Sequence, residues 1–547
     1  MVTPALPSPL NAVLAILVLG GIIVIVRWSR DRSTYPSLAA GFLAGRWSPA
    51  VAGIISSLIV WFVWGSLREP GVAHDERAYL LQAEIFSRGH WTAAAPPIAA
   101  FFEQMHVFIE PALFAKYPPA HALTLVPGVW LGLPGLMPML MTGVAGALVF
   151  WLARRLASGW TALLTWWLWT TAWANLIWSA SYFSETTSTA MWLIAVWATI
   201  RWLDSGRTPY LFCCAAALAW GFTARPLTMA ALALPLAFVI LRRTMATGVS
   251  RELAAPIVLG AAILSLGPIW NWHTLGDWRL DPYPHYSRVY FPFDKPGFGV
   301  DSAPPLRPLV PELAAVGEWS RNVHAAYTLS SLPLAFAERL IGILVWCTDG
   351  WRLALGALIL AAALRASGVE RAGVFTIAWL LLAYLTFAHP PIWTIYYLEV
   401  LPIFYFLAAC ELGRVIHKFG GSGADTSGAW PAPAANASLA IALLLLPFGI
   451  NDVRRVRAAN DVRNSFHRAA EAAIEALPSE QKAIVFVAYP PSANPHLGLT
   501  RNEPDLASAR RWIVYDRAAA NAELRALAPD RAAYLLDTAT MRMERLP

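Results

Sequence analysis

The sequence predicts an all-α polytopic membrane protein with a small α/β module outside the membrane at its C-terminal end. Of 547 residues, 57% are hydrophobic and 14% charged, against about 25% charged in an ordinary soluble domain. The apolar residues come in repeated blocks, each long enough to cross a bilayer core, which takes about 20 residues. After residue 450 the texture changes, and apolar runs shorten to strand length. The net charge of +7 does not point to nucleic acid. The arginines sit at the ends of apolar blocks, as positive-inside topology produces.

Spans are expected over 11–27, 49–66, 135–152, 160–179, 185–203, 209–224, 226–241, 254–274, 350–365, 373–388, 398–416 and 436–450. The first block ends in arginines and lacks a basic leader, so it reads as a retained span rather than a signal peptide. Arg27, Arg30, Arg32 and Arg46 mark one side of the membrane. So do Arg154 and Arg155, Arg201 and Arg207, Arg242 and Arg243, Arg365 and Arg371, and Arg414 and Lys418. Placing every cluster in the cytoplasm fits these spans. Arg454, Arg455 and Arg457 run against the scheme. Two more apolar blocks, 119–133 and 333–348, are short or broken by Gly and Pro, and read as interfacial or re-entrant.

The resulting division is 1–48, an extra N-terminal helix and cytoplasmic loop; 49–418, a transmembrane core with external loops 67–134 and 275–349; 419–435, a flexible Gly/Ser/Pro linker; 436–450, the last span; and 451–547, an external module. In that module Ala483–Tyr489, Trp512–Tyr515 and Ala532–Leu536 have strand composition. Ala507–Arg510 and Ala518–Leu527 read as helical. No internal repeat is apparent, which weighs against a transporter. Cys213, Cys214, Cys347 and Cys410 lie in or beside apolar segments without metal spacing, as inert buried thiols do.

The first long polar interruption, Gly71–His121, holds the leading functional candidates. Asp75 and Glu76 follow an apolar span and open a stretch whose Ala78, Leu81 and Ile85 predict an amphipathic helix on the membrane surface. A carboxylate at that boundary suits a general base, and acids at a helix start also suit the dipole. Glu76 is the alternative ligand for a divalent cation, with His106 and Glu110 as further candidates. In KYPPAH, the prolines after Lys116 and Tyr117 force an extended entry into the next helix, fixing where the lysine points. Lys116 reads either as a phosphate-binding cation or as an interfacial lysine. His121 closes the motif.

Arg225, between two apolar blocks, is a costly place for a charge. It reads as a phosphate contact or as the ion-pair partner of Glu185. The loop Asp281–Gly299 is dense in Tyr, Phe and Pro. Its rings suit sugar faces and interfacial anchoring equally.

HDERAYLLQAEIFSRG, FAKYPPAH, TARP at 223–226 and HPPIWTIYYLEVLPIF at 389–404 resemble the GT-C membrane glycosyltransferases. The resemblance is to the RgtA/B/C/D-like group, akin to protein mannosyltransferases and lipid A aminoarabinose transferases (family 39 relatives), over residues 50–415. It implies inverting transfer of a sugar from a polyprenyl-phosphate donor to an envelope lipid, polysaccharide or protein, on the external face of the inner (plasma) membrane. Asp75 would activate the acceptor with Glu76 beside it, and Lys116, Tyr117 and Arg225 would hold the lipid phosphate. Arg77 stands one place from the arginine of relatives, and Tyr396–Tyr397 replaces their late Arg-Tyr, which makes Tyr397 a further candidate. The implied partners are that donor and membrane lipids, with no nucleic acid. The rival readings are a non-catalytic lipid-linked glycan carrier or a membrane scaffold.

Overall fold

The computed structural model describes residues 9–248, 250–419, 431–490 and 493–547. Residues 420–430 of the expected linker lie outside the described residues. Helices α1 (Pro9–Ser29), α2 (Ser37–Ala44) and α3 (Ser48–Trp64) precede the first polar region. That region folds as α4 (His74–Ser87), β1 (Ala93–Ala94), α5 (Ala99–Phe102), β2 (Val107–Phe108) and β3 (Ala112–Ala115), with strand order β1-β3-β2.

A helical core follows: α6 (Pro119–Trp130), α7 (Leu136–Leu156), α8 (Gly159–Thr170), α9 (Trp173–Ser179), α10 (Glu185–Ser205), α11 (Pro209–Ala224), α12 (Pro226–Thr247), α13 (Ala254–Leu264) and α14 (Leu266–Leu275). The second polar region carries α15 (Pro282–Tyr290) and α16 (Pro311–Ala325). Then come α17 (Leu332–Cys347), α18 (Leu353–Leu364), α19 (Gly368–Tyr384), α20 (Leu401–Phe419) and α21 (Ala432–Glu475). The chain ends in β4 (Ala483–Ala488), β5 (Arg511–Tyr515), α22 (Asn521–Leu527), β6 (Ala532–Asp537) and β7 (Arg542–Arg545).

Helix lies over each expected span. Among the described residues, seven helices are long and apolar enough to cross a membrane, or nine if two sharply bent pairs count as one span each. The difference from twelve has local causes. The 160–179 block breaks into α8 and α9, α11 has only 16 residues, and α10 opens on Glu185 and a run of Thr and Ser. The stretch Leu329–Cys347, expected at the interface, is itself long and apolar enough to cross. Its buried Arg339 donates to the Tyr384 and Phe387 carbonyls at the C-terminal end of α19, satisfying acceptors a helix end leaves open.

The joint between α11 and α12 is dictated by Pro226. A residue before proline is pushed out of the α region. Arg225 accordingly sits at φ −143°, ψ 83°, and its side chain is thrown sideways from a helix break.

Three features depart from the sequence reading. The last span does not stop near 450: α21 continues unbroken for 44 residues, about 66 Å of helix, and runs into the C-terminal module. There β5, β4 and β6 pair in parallel, with β7 antiparallel on the edge. The polar sequence of β7 hid it, while the three apolar strands were legible. Ala507–Arg510, expected to be helical, forms turns instead. Finally, α4 does not lie on a surface. Glu76 through Ala83 are buried, as are Ile85 and Phe86, because the C-terminal module covers the polar side that looked free.

Candidate active site

Asp75, in the first turn of α4, lies in a cluster with His106 and Tyr117, Tyr283 of α15 and Tyr396 of the segment 394–400. Its side chain is 38% exposed. The Tyr117 hydroxyl donates to Asp75 Oδ1 at 2.5 Å, and His106 Nε2 stands 3.7 Å from Oδ2. His106 adopts φ 69°, uncommon without glycine. That turn is held on both sides: its N–H donates to the Tyr286 hydroxyl (2.9 Å) and its carbonyl accepts from the Lys116 N–H (2.9 Å). Burial and the nearby Lys116 charge push the His106 ring well below its usual pKa, so it faces Asp75 as a neutral imidazole.

Lys116 is buried beside them. Its ammonium lies over the rings of Tyr283 (4.4 Å), Tyr286 (5.0 Å) and Tyr117 (5.5 Å), an arrangement favourable to a cation. The nearest carboxylate, Asp294, is 4.0 Å away and also faces His324 Nε2 at 3.8 Å. Burial lowers the Lys116 pKa, with Asp294 and then Asp75 opposing. Among the described residues its Nζ makes no hydrogen bond shorter than that ion pair, so its donors remain available. The aromatic loop thus acts as a cage for this cation rather than only as a flat surface. Asp281 caps α15 by accepting from the Tyr283 N–H (2.8 Å), with Pro282 in the first turn. Tyr283 and Tyr286 then fall three apart, on one helix face. Asp294 was not singled out in the sequence, although it lies within that loop.

Arg225 is linked to this cluster through Tyr79 and Ser184. Tyr79 stacks on Tyr117 with ring centroids 4.5 Å apart, and its hydroxyl donates to Ser184 Oγ (3.2 Å). Arg225 Nη1 donates to the same Ser184 (3.3 Å) and to Glu185, Nη2 to the Tyr384 hydroxyl (3.1 Å), and Nε lies 3.5 Å from Glu399. The Tyr396 ring approaches its guanidinium at 5.8 Å. Of the two alternatives for Arg225, the ion pair with Glu185 is present, and Glu399 is a second buried carboxylate beside it. Glu399 was missed, because a single Glu in an apolar stretch carries no motif.

Glu76 is placed differently from Asp75. Its oxygens accept from the N–H groups of Val72 (3.1 Å), Ala73 (2.8 Å) and Tyr182 (3.1 Å), and from Arg463 Nη2 (2.5 Å). Both Glu76 oxygens are thereby occupied within the fold. Arg77 turns away and donates to the Gly71 carbonyl (2.9 Å) and that of Gly498. His121 uses both ring nitrogens, on Thr187 (2.8 Å) and the Tyr182 carbonyl (2.9 Å). The Tyr397 hydroxyl is hydrogen-bonded to His389 Nε2 (2.9 Å). Glu110 is exposed and faces Arg307 at 3.6 Å. Among the described residues no three His, Cys, Asp or Glu side chains gather as metal ligands do. Glu76, His106 and Glu110 do not form such a group.

No known protein family matches the sequence, and no curated protein does. Solved structures do. ArnT from Cupriavidus metallidurans bound to undecaprenyl phosphate is 14% identical with a TM-score of 0.48, covering 90% of this chain and 93% of that one. The same protein in the apo state is 15% identical at 0.47, covering 89% and 92%. The archaeal oligosaccharyltransferase AglB from Archaeoglobus fulgidus, in complex with an inhibitory peptide and a dolichol-phosphate, is 12% identical at 0.36, covering 81% and 62%.

Proposed function

We propose that this chain is a membrane glycosyltransferase that moves a sugar from a polyprenyl-phosphate donor to a hydroxyl of an envelope acceptor, with inversion, on the external membrane face. One observation carries the reading: Asp75 and Lys116, forty-one positions apart in sequence, both lie against Tyr117, with the Tyr283 ring beside the lysine. A base and a phosphate-binding cation are the two charges that sugar transfer from a lipid phosphate requires.

In the reaction, the acceptor hydroxyl attacks the anomeric carbon while its proton passes to Asp75. The bond from that carbon to the phosphate oxygen breaks, and the transition state has oxocarbenium character. Negative charge grows on the departing phosphate, where Lys116 stabilises it. Tyr117 aligns the base, and the tyrosine faces of α15 offer a wall for the sugar ring. A single carboxylate acting in one displacement yields inversion. Arg225, held by Glu185 and Glu399, contributes a directed dipole rather than a free charge. The test is turnover of an isotopically labelled polyprenyl-phosphate-sugar pool by the purified protein in nanodiscs. Release of polyprenyl phosphate with the label on an acceptor supports the reading; no release from any donor in the pool refutes it.

A further inference from the structure

The C-terminal module grips the helix that carries Asp75, and the grip centres on one buried pair. Polar contacts run from α21 and the module to α4, beside a ring contact of His74 with His496 (5.9 Å). Arg463 meets Glu76 at 2.5 Å, Arg77 donates to the Gly498 carbonyl, Arg501 meets Glu84 at 2.5 Å, and Glu503 meets Arg88 at 3.3 Å. The last pair is largely exposed, and such pairs contribute little. The first differs: the Glu76 side chain is 2% exposed and that of Arg463 15%.

Glu76 is also a junction. The same carboxylate accepts from the Val72 and Ala73 N–H groups entering α4 and from the Tyr182 N–H ahead of α10. It therefore ties three segments together: the first turn of α4, the core, and α21. Asp75 is the adjacent residue, and its direction toward Tyr117 and His106 is set by the backbone of that turn. Arg463 sits on the same helix whose earlier part, from Ala434 to Val456, packs in the apolar core, so its position is referred to the core rather than to a loose appendage.

We infer that Arg463 is a positioning residue that acts through Glu76 to fix the first turn of α4, and with it Asp75, so that the C-terminal module is a working part of the site. This rests on the reading of Asp75 as the base. An oriented reactive group loses rate steeply when it moves, by about a hundredfold for roughly 1 Å.

The test uses the full chain in nanodiscs, with Arg463→Ala, Arg463→Lys, Glu76→Gln, the double variant Glu76→Gln/Arg463→Ala, and Glu503→Gln as control. Hydrogen exchange over residues 71–90 reads the lock without any substrate. Turnover of the labelled polyprenyl-phosphate-sugar pool reads its consequence. R463A and E76Q are expected to speed exchange at 72–78 and to lower kcat on the order of tenfold to a hundredfold, with the donor KM within about twofold. R463K should recover most of the rate, the double variant should be no worse than the poorer single one, and E503Q should match wild type. Wild-type exchange or wild-type kcat in R463A overturns the inference, as does a rise in KM in place of a fall in kcat. If R463A does not fold, R463K and E76Q decide by the same criteria. If wild type itself shows no turnover, the glycosyltransferase reading fails, and exchange still decides whether the lock exists.

Discussion

The Tyr117 hydroxyl donates to the Asp75 carboxylate across 2.5 Å, while the ring of the same tyrosine lies 5.5 Å from the Lys116 ammonium. One side chain thus touches both charges of the proposed reaction. Hydrogen bonds to charged groups are worth about 1.5–3 kcal/mol, so Tyr117→Phe should lower kcat by roughly ten- to a hundredfold while the melting midpoint stays near wild type. Unchanged turnover would remove Tyr117 from the account.

Lys116 gives a pH signature. Burial lowers its pKa from the ordinary 10.5, so the folded lysine loses its proton at lower pH than a free one. Phosphate binding that depends on the charged form is complete well below the folded pKa and falls as pH rises through it. Lys116→Arg, which stays charged, should abolish this alkaline fall in donor affinity even if it weakens binding overall. Lys116→Ala should raise the donor KM about tenfold or more, as loss of a charge-assisted contact does. An alkaline limb that persists in K116R would assign it to another group.

Arg225 should behave mainly as a structural residue. Arg225→Ala strands Glu185 and Glu399, each buried with one oxygen lacking a partner among the described residues. Removing one member of a buried ionic group costs about 3–5 kcal/mol. The variant should melt several degrees lower in a thermal scan, and adding Glu399→Gln should restore part of the loss. A clean donor-affinity defect at unchanged stability would instead make it a direct phosphate contact.

His121 marks the limit of motif reasoning. It closes KYPPAH, yet its ring is fully buried and both nitrogens are occupied within the fold. His121→Asn should reduce the yield of folded protein and leave turnover per folded molecule within about threefold, since both ring contacts serve the fold. A loss of kcat at full stability would place it in the chemistry.

These residues show which parts of the protein the sequence announces. Asp75, Lys116 and Tyr117 were legible because each breaks a pattern: charge after an apolar span, or a lysine before two prolines. The helical core and three strands of the module follow from apolar runs of helix or strand length. Asp294, Glu399 and Arg463 were not legible, because their roles arise only when segments far apart in sequence pack together. For the same reason the roles of neighbours were blurred. Asp75 and Glu76 are equivalent as letters, but a helix start turns one onto Tyr117 and the other onto Arg463 and three backbone N–H groups. The surface placement of α4 failed because its polar residues meet the C-terminal module, not water.

Whether Asp75 takes the acceptor proton is read most directly from single-turnover sugar transfer by Asp75→Asn in nanodiscs, with binding of undecaprenyl phosphate measured in parallel. Transfer is expected to fall about a hundredfold or more, as loss of a positioned general base costs, with lipid-phosphate affinity unchanged. Wild-type transfer by Asp75→Asn would contradict that role.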